Sequence, residues 1–247
     1  AIGAVNIDLG TSGAARCIVD AATTDPDANL WCFCLTDRLW AYGGIVTNVG
    51  NAYQWLASHF GGAAGVSDDE AFAAMDRHAA AVPPGSGGVY MLPYLRKARA
   101  PHWDGRLKAT IYGLTADHGV GHMARALLEA VAYDLRTIIA VMARRVAIHS
   151  PIVLTGGLSR SPIMGQLLAD VLRLPVETPA SGEGSIAGAA ILALAGLGAV
   201  DRFAFAGGTS KGRSFEPEPA AADRYDRGYR GYTRLVDAIR TLELEET

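Results

Sequence analysis

The feature that most constrains this chain is a short apolar run that is followed at once by two glycines and then by a helical pattern. Pro151 to Leu154 has the length and composition of a buried strand, and Gly156 and Gly157 permit a sharp turn with close approach to the backbone. Ser161 is predicted to cap the next helix, with Pro162 at its first position. The apolar face of that helix comprises Ile163, Leu167, Leu168, Val171 and Leu172. The stretch therefore predicts a strand, a turn and a helix.

A unit of this kind can hold a nucleotide. Free backbone N–H groups and the positive end of a helix meet beside the carboxyl end of the strand, where ligands of open α/β sheets bind. Two glycines between a strand and a helix are also ordinary turn chemistry that binds nothing. From this stretch alone, both interpretations stay open.

Composition narrows the class of protein. The chain has 247 residues, 50% of them hydrophobic, which is enough for one large domain or two small ones with a core. A net charge of −3 and the lack of any run of Lys and Arg argue against a nucleic-acid partner. The longest uncharged run, Gly184 to Val200, is shorter than a bilayer requires and rich in Gly and Ala, so it predicts a tightly packed core helix and no membrane span.

The cysteines indicate a reducing compartment. Cys17, Cys32 and Cys34 are odd in number and lack the spacing of metal ligands. We expect reduced, buried thiols and a cytoplasmic protein, and we find no signal peptide. The sequence also opens without Met and enters a strand-like pattern almost immediately, from which we expect a piece of a longer polypeptide.

Two hairpins are predicted at the start of the chain. Val5 to Leu9 and Ala15 to Val19 are strand-like, and between them lies the tip Gly10-Thr11-Ser12-Gly13. The N–H and O–H groups of that tip can contact phosphate oxygens, but the same residues equally suit a plain turn. Trp31 to Leu35 and Leu39 to Tyr42 form the second hairpin, so the chain begins with an antiparallel meander.

Helical spacing follows the meander. Asn48 is a candidate N-cap for a helix on which Gly50 and Gln54 lie one turn apart. Glycine in a first turn costs helix stability, so either a segment packs closely there or the helix start faces a ligand. The remaining elements are a helix opened by a capping box at Ser67, strands at Val89 to Leu92 and Thr110 to Thr115, a long helix from Gly121 to about His149, a strand at Val176 to Thr178, a loop from Ser181 to Gly184, and a closing helix over about 223–244.

Two histidines need a separate interpretation. His118 and His122 have the spacing of helical metal ligands, but no acidic residue follows at the spacing of a zinc protease. We therefore interpret them as capping or solvated side chains.

Together these motifs resemble the carboxyl-terminal domain of the FGGY carbohydrate kinases, within which the gluconate kinases are most similar in appearance. The resemblance covers essentially the whole chain, 1–247. It rests on eight segments in register: Gly10 to Arg16, Trp31 to Thr36, Gly43 to Leu56, Leu92 to Asp104, Tyr112 to Thr115, His122 to Glu129, Thr155 to Val171 and Gly188 to Ala190.

The resemblance implies an α/β fold of the actin-like ATPase, ribonuclease-H-like class, with a mixed sheet flanked by helices. This chain would be the second of two domains that enclose ATP or ADP between them, and the first, sugar-binding domain is expected to be absent from it. By the same resemblance, the nucleotide-binding residues are Thr11, Gly50, Gln54, Gly157 and Ser161.

The implied activity is Mg²⁺-dependent phosphoryl transfer from ATP to a hydroxyl of a sugar or sugar acid, gluconate or xylulose in particular. The family's catalytic base would precede this sequence, so no catalytic residue is assigned and the chain alone is expected to be inactive. Asp8 departs from a usually uncharged position and stays a candidate for a role near the metal.

Several questions stay open after this comparison. Arg96-Lys97-Ala98 departs from the family pattern and leaves the sugar undecided. The rival hypothesis is a non-catalytic actin-like module or an inactive kinase relative that binds nucleotide. A homodimer is left open as the assembly.

Overall fold

The computed structural model describes residues 2–62, 67–180, 184–200 and 211–245. The strands are β1 (Ala4–Leu9), β2 (Gly13–Val19), β3 (Trp31–Cys34), β4 (Trp40–Val46), β5 (Tyr90–Leu92), β6 (Thr110–Tyr112), β7 (His149–Thr155), β8 (Val176–Pro179) and β9 (Lys211–Phe215). The helices are α1 (Gly50–Phe60), α2 (Asp68–Ala80), α3 (Val120–Ala143), α4 (Met164–Leu172), α5 (Gly184–Gly196) and α6 (Pro219–Glu245).

A mixed sheet organises the molecule, and within the described ranges it has seven strands in the order β3-β4-β2-β1-β7-β8-β9. β1 pairs antiparallel with β2 and parallel with β7. The tip of the β1–β2 hairpin and the carboxyl end of β7 therefore lie at the same end of the strands. Side chains alternate along β1, and Val5, Ile7 and Leu9 are buried. The core forms where this face meets the apolar stripe of α3, whose residues from Ala124 to Leu135 are nearly all buried.

The predicted meander, capping box and long helix are confirmed, with adjusted ends. The Ser67 hydroxyl accepts a hydrogen bond from the Glu70 backbone N–H, and the Glu70 carboxylate accepts one from the Ser67 backbone N–H. α3 ends at Ala143 instead of continuing to His149, because His149 begins β7 and donates its N–H to the Gly3 carbonyl at 2.9 Å.

The prediction that Asn48 caps α1 is wrong. Asn48 is buried. Its side-chain amide donates to the Arg96 carbonyl and its carboxamide oxygen accepts the Arg96 N–H, both at 2.9 Å. The Asn51 carboxamide oxygen accepts the Val49 N–H at 2.9 Å instead. Asn48, which the local pattern predicted as a cap, instead connects the 93–106 loop to the segment after β4.

The prediction of a tightly packed core helix after residue 184 is also wrong. α5 exposes much of its apolar surface, including Ile186 at 69% and Leu197, just past its end, at 81%. Small apolar residues fit a buried helix, but burial needs a partner layer, and a sequence pattern does not show whether one is present. The predicted loop from Ser181 lies mainly outside the described residues.

The cysteines differ in environment. Cys17 is buried and burial raises the pKa of its thiol to about 11, so it stays protonated and unreactive at neutral pH. Cys32 is half-buried and Cys34 is exposed, so the expectation of three buried thiols is wrong for β3. β3 is an edge strand of the sheet, and its residues change from half-buried at Trp31 and Cys32 to exposed at Phe33 and Cys34.

A buried ion pair joins three parts of the fold. The Glu129 carboxylate accepts from Arg125 at 3.2 Å and from the Gly85 N–H at 2.8 Å. The Arg125 guanidinium also donates to the Tyr225 hydroxyl on α6 at 2.7 Å. α3, the loop before β5 and α6 are thereby held together by one set of charge-assisted hydrogen bonds.

None of the helices in the described part of the chain combines the length and the apolar character needed to cross a membrane.

Candidate functional site

A cavity of about 700 Å³ opens at the carboxyl ends of β1 and β7, where the β1–β2 tip, α1, α2 and the segment after β7 meet. Its lining comprises Leu9, Gly10, Thr11, Gly50, Asn51, Tyr53, Gln54, Asp68, Asp69, Phe72, Ala73, Asp76, Arg77, Ala80, Gly157, Leu158, Arg160, Ser161 and Pro162. All five positions that the family resemblance assigned to nucleotide contact are among them. A volume of this size accommodates a small-molecule ligand.

The hairpin tip packs directly on the start of α1. The Gly50 N–H donates to the Gly10 carbonyl and the Asn51 N–H to the Thr11 carbonyl, both at 3.1 Å. A Cβ at Gly50 would lie 2.6 Å from the Gly10 carbonyl oxygen, so only glycine fits. Of the two sequence-based explanations of this glycine, close packing is confirmed. The helix start also lines the cavity, and a ligand there stays a prediction.

Gln54 and Thr11 lie at the mouth of the cavity. Both are exposed, and the Gln54 side-chain amide donates to the Asp68 carboxylate at 2.9 Å. Together with the positive end of the α1 dipole, the exposed hydroxyl of Thr11 makes the tip suitable for an anionic group.

The segment after β7 departs from the predicted geometry. Gly157–Arg160 form a 3₁₀ turn and α4 begins only at Met164, so Ser161 is not its N-cap and Pro162 is not its first residue. The tight turn shifts the helix start by two residues and directs Ser161 toward the cavity. Its Oγ is buried and has no hydrogen-bond partner among the described residues.

Asp76 lies beside that hydroxyl. Tyr53 donates its O–H to Asp76 Oδ1 at 2.8 Å, and the carboxylate is only 8% exposed. Burial raises the pKa of the Asp76 carboxyl, and the hydrogen bond from Tyr53 opposes that rise. Sequence reasoning missed Asp76 because α2 looks like an Ala-rich surface helix. The available signal was an acidic residue four positions before the end of the helix, on the same side as Phe72 and Ala79.

Asp8 does not line this cavity. Its carboxylate accepts from the Thr155 hydroxyl at 3.1 Å on the sheet face opposite Leu9. The Thr155 hydroxyl also accepts from Asn6 Nδ2 at 3.2 Å. Asp8 therefore stays a candidate, near the site but on the other side of the hairpin.

The structure supports the capping interpretation of the two histidines. His118 Nδ1 accepts the Thr115 N–H at 3.0 Å, and His122 Nδ1 accepts the Gly119 N–H at 3.1 Å. Over the described ranges, no group of three or more His, Cys, Asp or Glu side chains is arranged to hold a metal ion.

Comparisons with known proteins show the family to which the chain belongs. Residues 5–197 match the C-terminal domain of the FGGY family of carbohydrate kinases. The gluconokinase of Bacillus subtilis is 35% identical over 208 residues, which are 81% of this chain and 40% of that protein.

Solved structures confirm the fold. The gluconate kinase of Lactobacillus acidophilus superposes with a TM-score of 0.86 at 26% identity, over 99% of this chain and 49% of that one. A ligand-bound xylulose kinase from the same organism gives a TM-score of 0.85 at 27% identity, over the same shares. The mixed sheet flanked by helices is thus the expected actin-like ATPase fold, and the chain spans about half the length of these relatives or less. By sequence and by structure, the chain belongs to the FGGY family of carbohydrate kinases and corresponds to its C-terminal domain.

Proposed function

We propose that this chain is the nucleotide-binding half of an ATP-dependent sugar or sugar-acid kinase. The observation that carries the proposal is the convergence of Thr11, Gly50, Gln54, Gly157 and Ser161 on one cavity from three separate segments. Two features of that cavity fit a ligand. The buried Ser161 Oγ has no partner in the described part of the chain, and a Cβ at Gly157 would face open space.

Each segment has a separate task in this mechanism. The exposed Thr11 hydroxyl and the positive end of the α1 dipole bind and orient the phosphates, while the Gly50 and Asn51 N–H groups hold the tip on the helix by donating to the Gly10 and Thr11 carbonyls. Gly157 leaves room for the nucleoside beside its backbone, and Ser161 contacts it. When bound, Mg²⁺ neutralises the phosphate charge that develops during transfer. The catalytic base and most of the sugar pocket are proposed to lie in the remainder of a longer protein.

Gluconate is the substrate we favour, because the Bacillus subtilis gluconokinase matches at 35% identity and a gluconate kinase superposes over 99% of the chain. Xylulose is the alternative, since a xylulose kinase superposes almost equally well. A non-catalytic nucleotide-binding module is the rival function.

The test uses the full-length protein in two assays. Calorimetry with ADP and Mg²⁺ measures nucleotide binding, and coupled ADP release with gluconate, xylulose and glycerol measures transfer. We expect ADP binding and turnover with one of these acceptors, gluconate first. ADP binding without sugar-dependent release would favour the rival module, and absence of ADP binding would disprove the nucleotide site itself.

A further inference from the structure

One end of the cavity contains a carboxylate to which the family resemblance gives no role. Asp76 lines the cavity and is held by Tyr53, whose ring stacks on Phe72 with centroids 5.6 Å apart. A carboxylate has about four lone-pair positions, so the single bond from Tyr53 leaves it able to accept from a ligand. The Tyr53 bond also fixes its orientation.

A second polar group lies at the same end. Ser161 is 6% exposed, and its Oγ finds no hydrogen-bond partner within the described ranges. A buried hydroxyl left without a partner costs free energy, so a ligand that supplies one is favoured at this position. Asp76 accepts and Ser161 can donate or accept, so the end is suited to a ligand edge that carries at least one N–H donor.

The cavity also has apolar lining that suits a flat ring, beside the charged side chains of Arg77 and Arg160. The apolar lining residues in α2 and after β7 are Phe72, Ala73, Ala80, Leu158 and Pro162. The phosphate-binding features are on the hairpin tip and the first turn of α1, and Tyr53 lies about one turn further along that helix. A nucleotide with its phosphates at the tip therefore has its base near Asp76.

We propose that Asp76 is a specificity-determining residue that selects adenine by accepting a hydrogen bond from its exocyclic amino group. This inference rests on the proposed function. A 6-oxo purine would instead place oxygen lone pairs against the carboxylate, with no proton between them. Tyr53 is the positioning residue for Asp76, and Ser161 supplies the second polar contact.

The test compares ADP with inosine diphosphate, which differs from ADP by an oxo group in place of the 6-amino group and by a proton on N1. Calorimetry on the full-length protein gives both dissociation constants in the presence of Mg²⁺. We expect the wild type to prefer ADP by at least about tenfold, the scale of one charge-assisted hydrogen bond. In Asp76→Asn the carboxamide can donate to the 6-oxo group, so this preference should fall by about tenfold.

Asp69→Asn is the matched control, because it makes the same charge change on the same helix and in the same cavity lining, but its side chain is 88% exposed. Its preference for ADP should stay within about twofold of the wild type. Tyr53→Phe is the second test variant and decides the matter if Asp76→Asn does not fold. It keeps the stacking on Phe72, removes the bond that orients Asp76, and should lower the preference partially.

The outcomes separate the two proposals. A protein that binds neither diphosphate would disprove the nucleotide site. ADP binding with equal affinity for inosine diphosphate, or an unchanged preference in Asp76→Asn, would leave the nucleotide site standing and overturn the role of Asp76. If only Tyr53→Phe folds, an unchanged preference in it overturns that role.

Discussion

Gly156 and Gly157 are neighbours with different physical roles. Gly156 has a φ of +87°, and a Cβ there would lie 2.5 Å from the Leu9 carbonyl oxygen. Gly157 faces the cavity, where a Cβ would find none of the described atoms within 4 Å. The first glycine is required by the close approach of β1 and the turn, and the second leaves space for a ligand.

These two positions give a paired prediction. Gly156→Ala should lower the free energy of unfolding by about 1–3 kcal/mol, because it combines a left-handed φ with a backbone clash. Gly157→Val should leave stability nearly unchanged but abolish ADP binding. Urea denaturation and calorimetry measure the two effects. Normal ADP affinity in Gly157→Val would mean that the nucleotide lies elsewhere.

Asp104 provides a prediction about pH. The Arg106 guanidinium donates to both Asp104 oxygens at 2.9 Å and holds the pKa of that carboxyl at about 2 despite partial desolvation. Because the folded pKa lies below the ordinary value of 3.8, the pair stabilises the fold above about pH 4 and loses this effect as the pH falls toward 2.

Asp104→Asn should therefore be less stable than the wild type by about 1 kcal/mol at pH 6, a modest value because the arginine is partly exposed. The difference should shrink as the pH approaches 2. Urea denaturation at pH 6, 4 and 2.5 tests this, and a difference that persists unchanged at the lowest pH would contradict the assignment.

At the residue scale, local rules failed for one position of the site, and the nucleotide contacts assigned by the family resemblance stay a prediction. All five positions assigned to nucleotide contact line one cavity, yet the capping role given to Ser161 was wrong. Local rules could not show that a 3₁₀ turn would come between Gly157 and α4, nor that Tyr53 would orient Asp76 from another helix. Both depend on contacts between distant segments, which one sequence does not display.

At the scale of elements, the ion pair of Arg125 and Glu129 joins α3, α6 and the loop before β5. Removing one partner of a buried pair leaves the other charge without compensation. Glu129→Ala should therefore lower the free energy of unfolding by about 3–5 kcal/mol, measured by urea denaturation.

The control for this prediction is Asp226→Ala. Asp226 also links α6 to α3, through Arg136 at 2.8 Å, but its side chain is 23% exposed. That variant should lose no more than about 1 kcal/mol. Equal losses in both variants would show that burial of the Glu129 pair has no special effect.

Strands and helices were mostly predictable, because alternation, periodicity and glycine turns are local signals. The hairpins, the Ser67 cap and the strand β7 followed from them. The exposure of α5 could not be predicted in this way. Its small apolar residues are typical of a buried helix, but the sequence pattern does not show whether another layer covers it.

At the scale of the whole molecule, the exposed face of α5 should affect solubility more than stability. Replacing Ile186 and Leu197 together by Ser should reduce self-association of the 247-residue chain, since exposed apolar patches promote contact between copies. The free energy of unfolding should change by less than about 1 kcal/mol.

Analytical ultracentrifugation and urea denaturation test this double variant. A marked loss of stability would show that these side chains are packed in solution. Unchanged self-association would mean that copies of the chain associate through a different surface.

The pairing of β1 with β7 also sets the order in which the molecule can assemble. The Asp8 carboxylate and the Thr155 hydroxyl that meet across these strands are 147 positions apart in sequence. Closing so long a loop is slow compared with forming the local β1–β2 hairpin. During synthesis β1 can therefore pair with β7 only after most of the chain has been made, and the cavity is complete only after this late step. The appearance of ADP binding during refolding should then lag behind hairpin formation and mark the completion of the sheet.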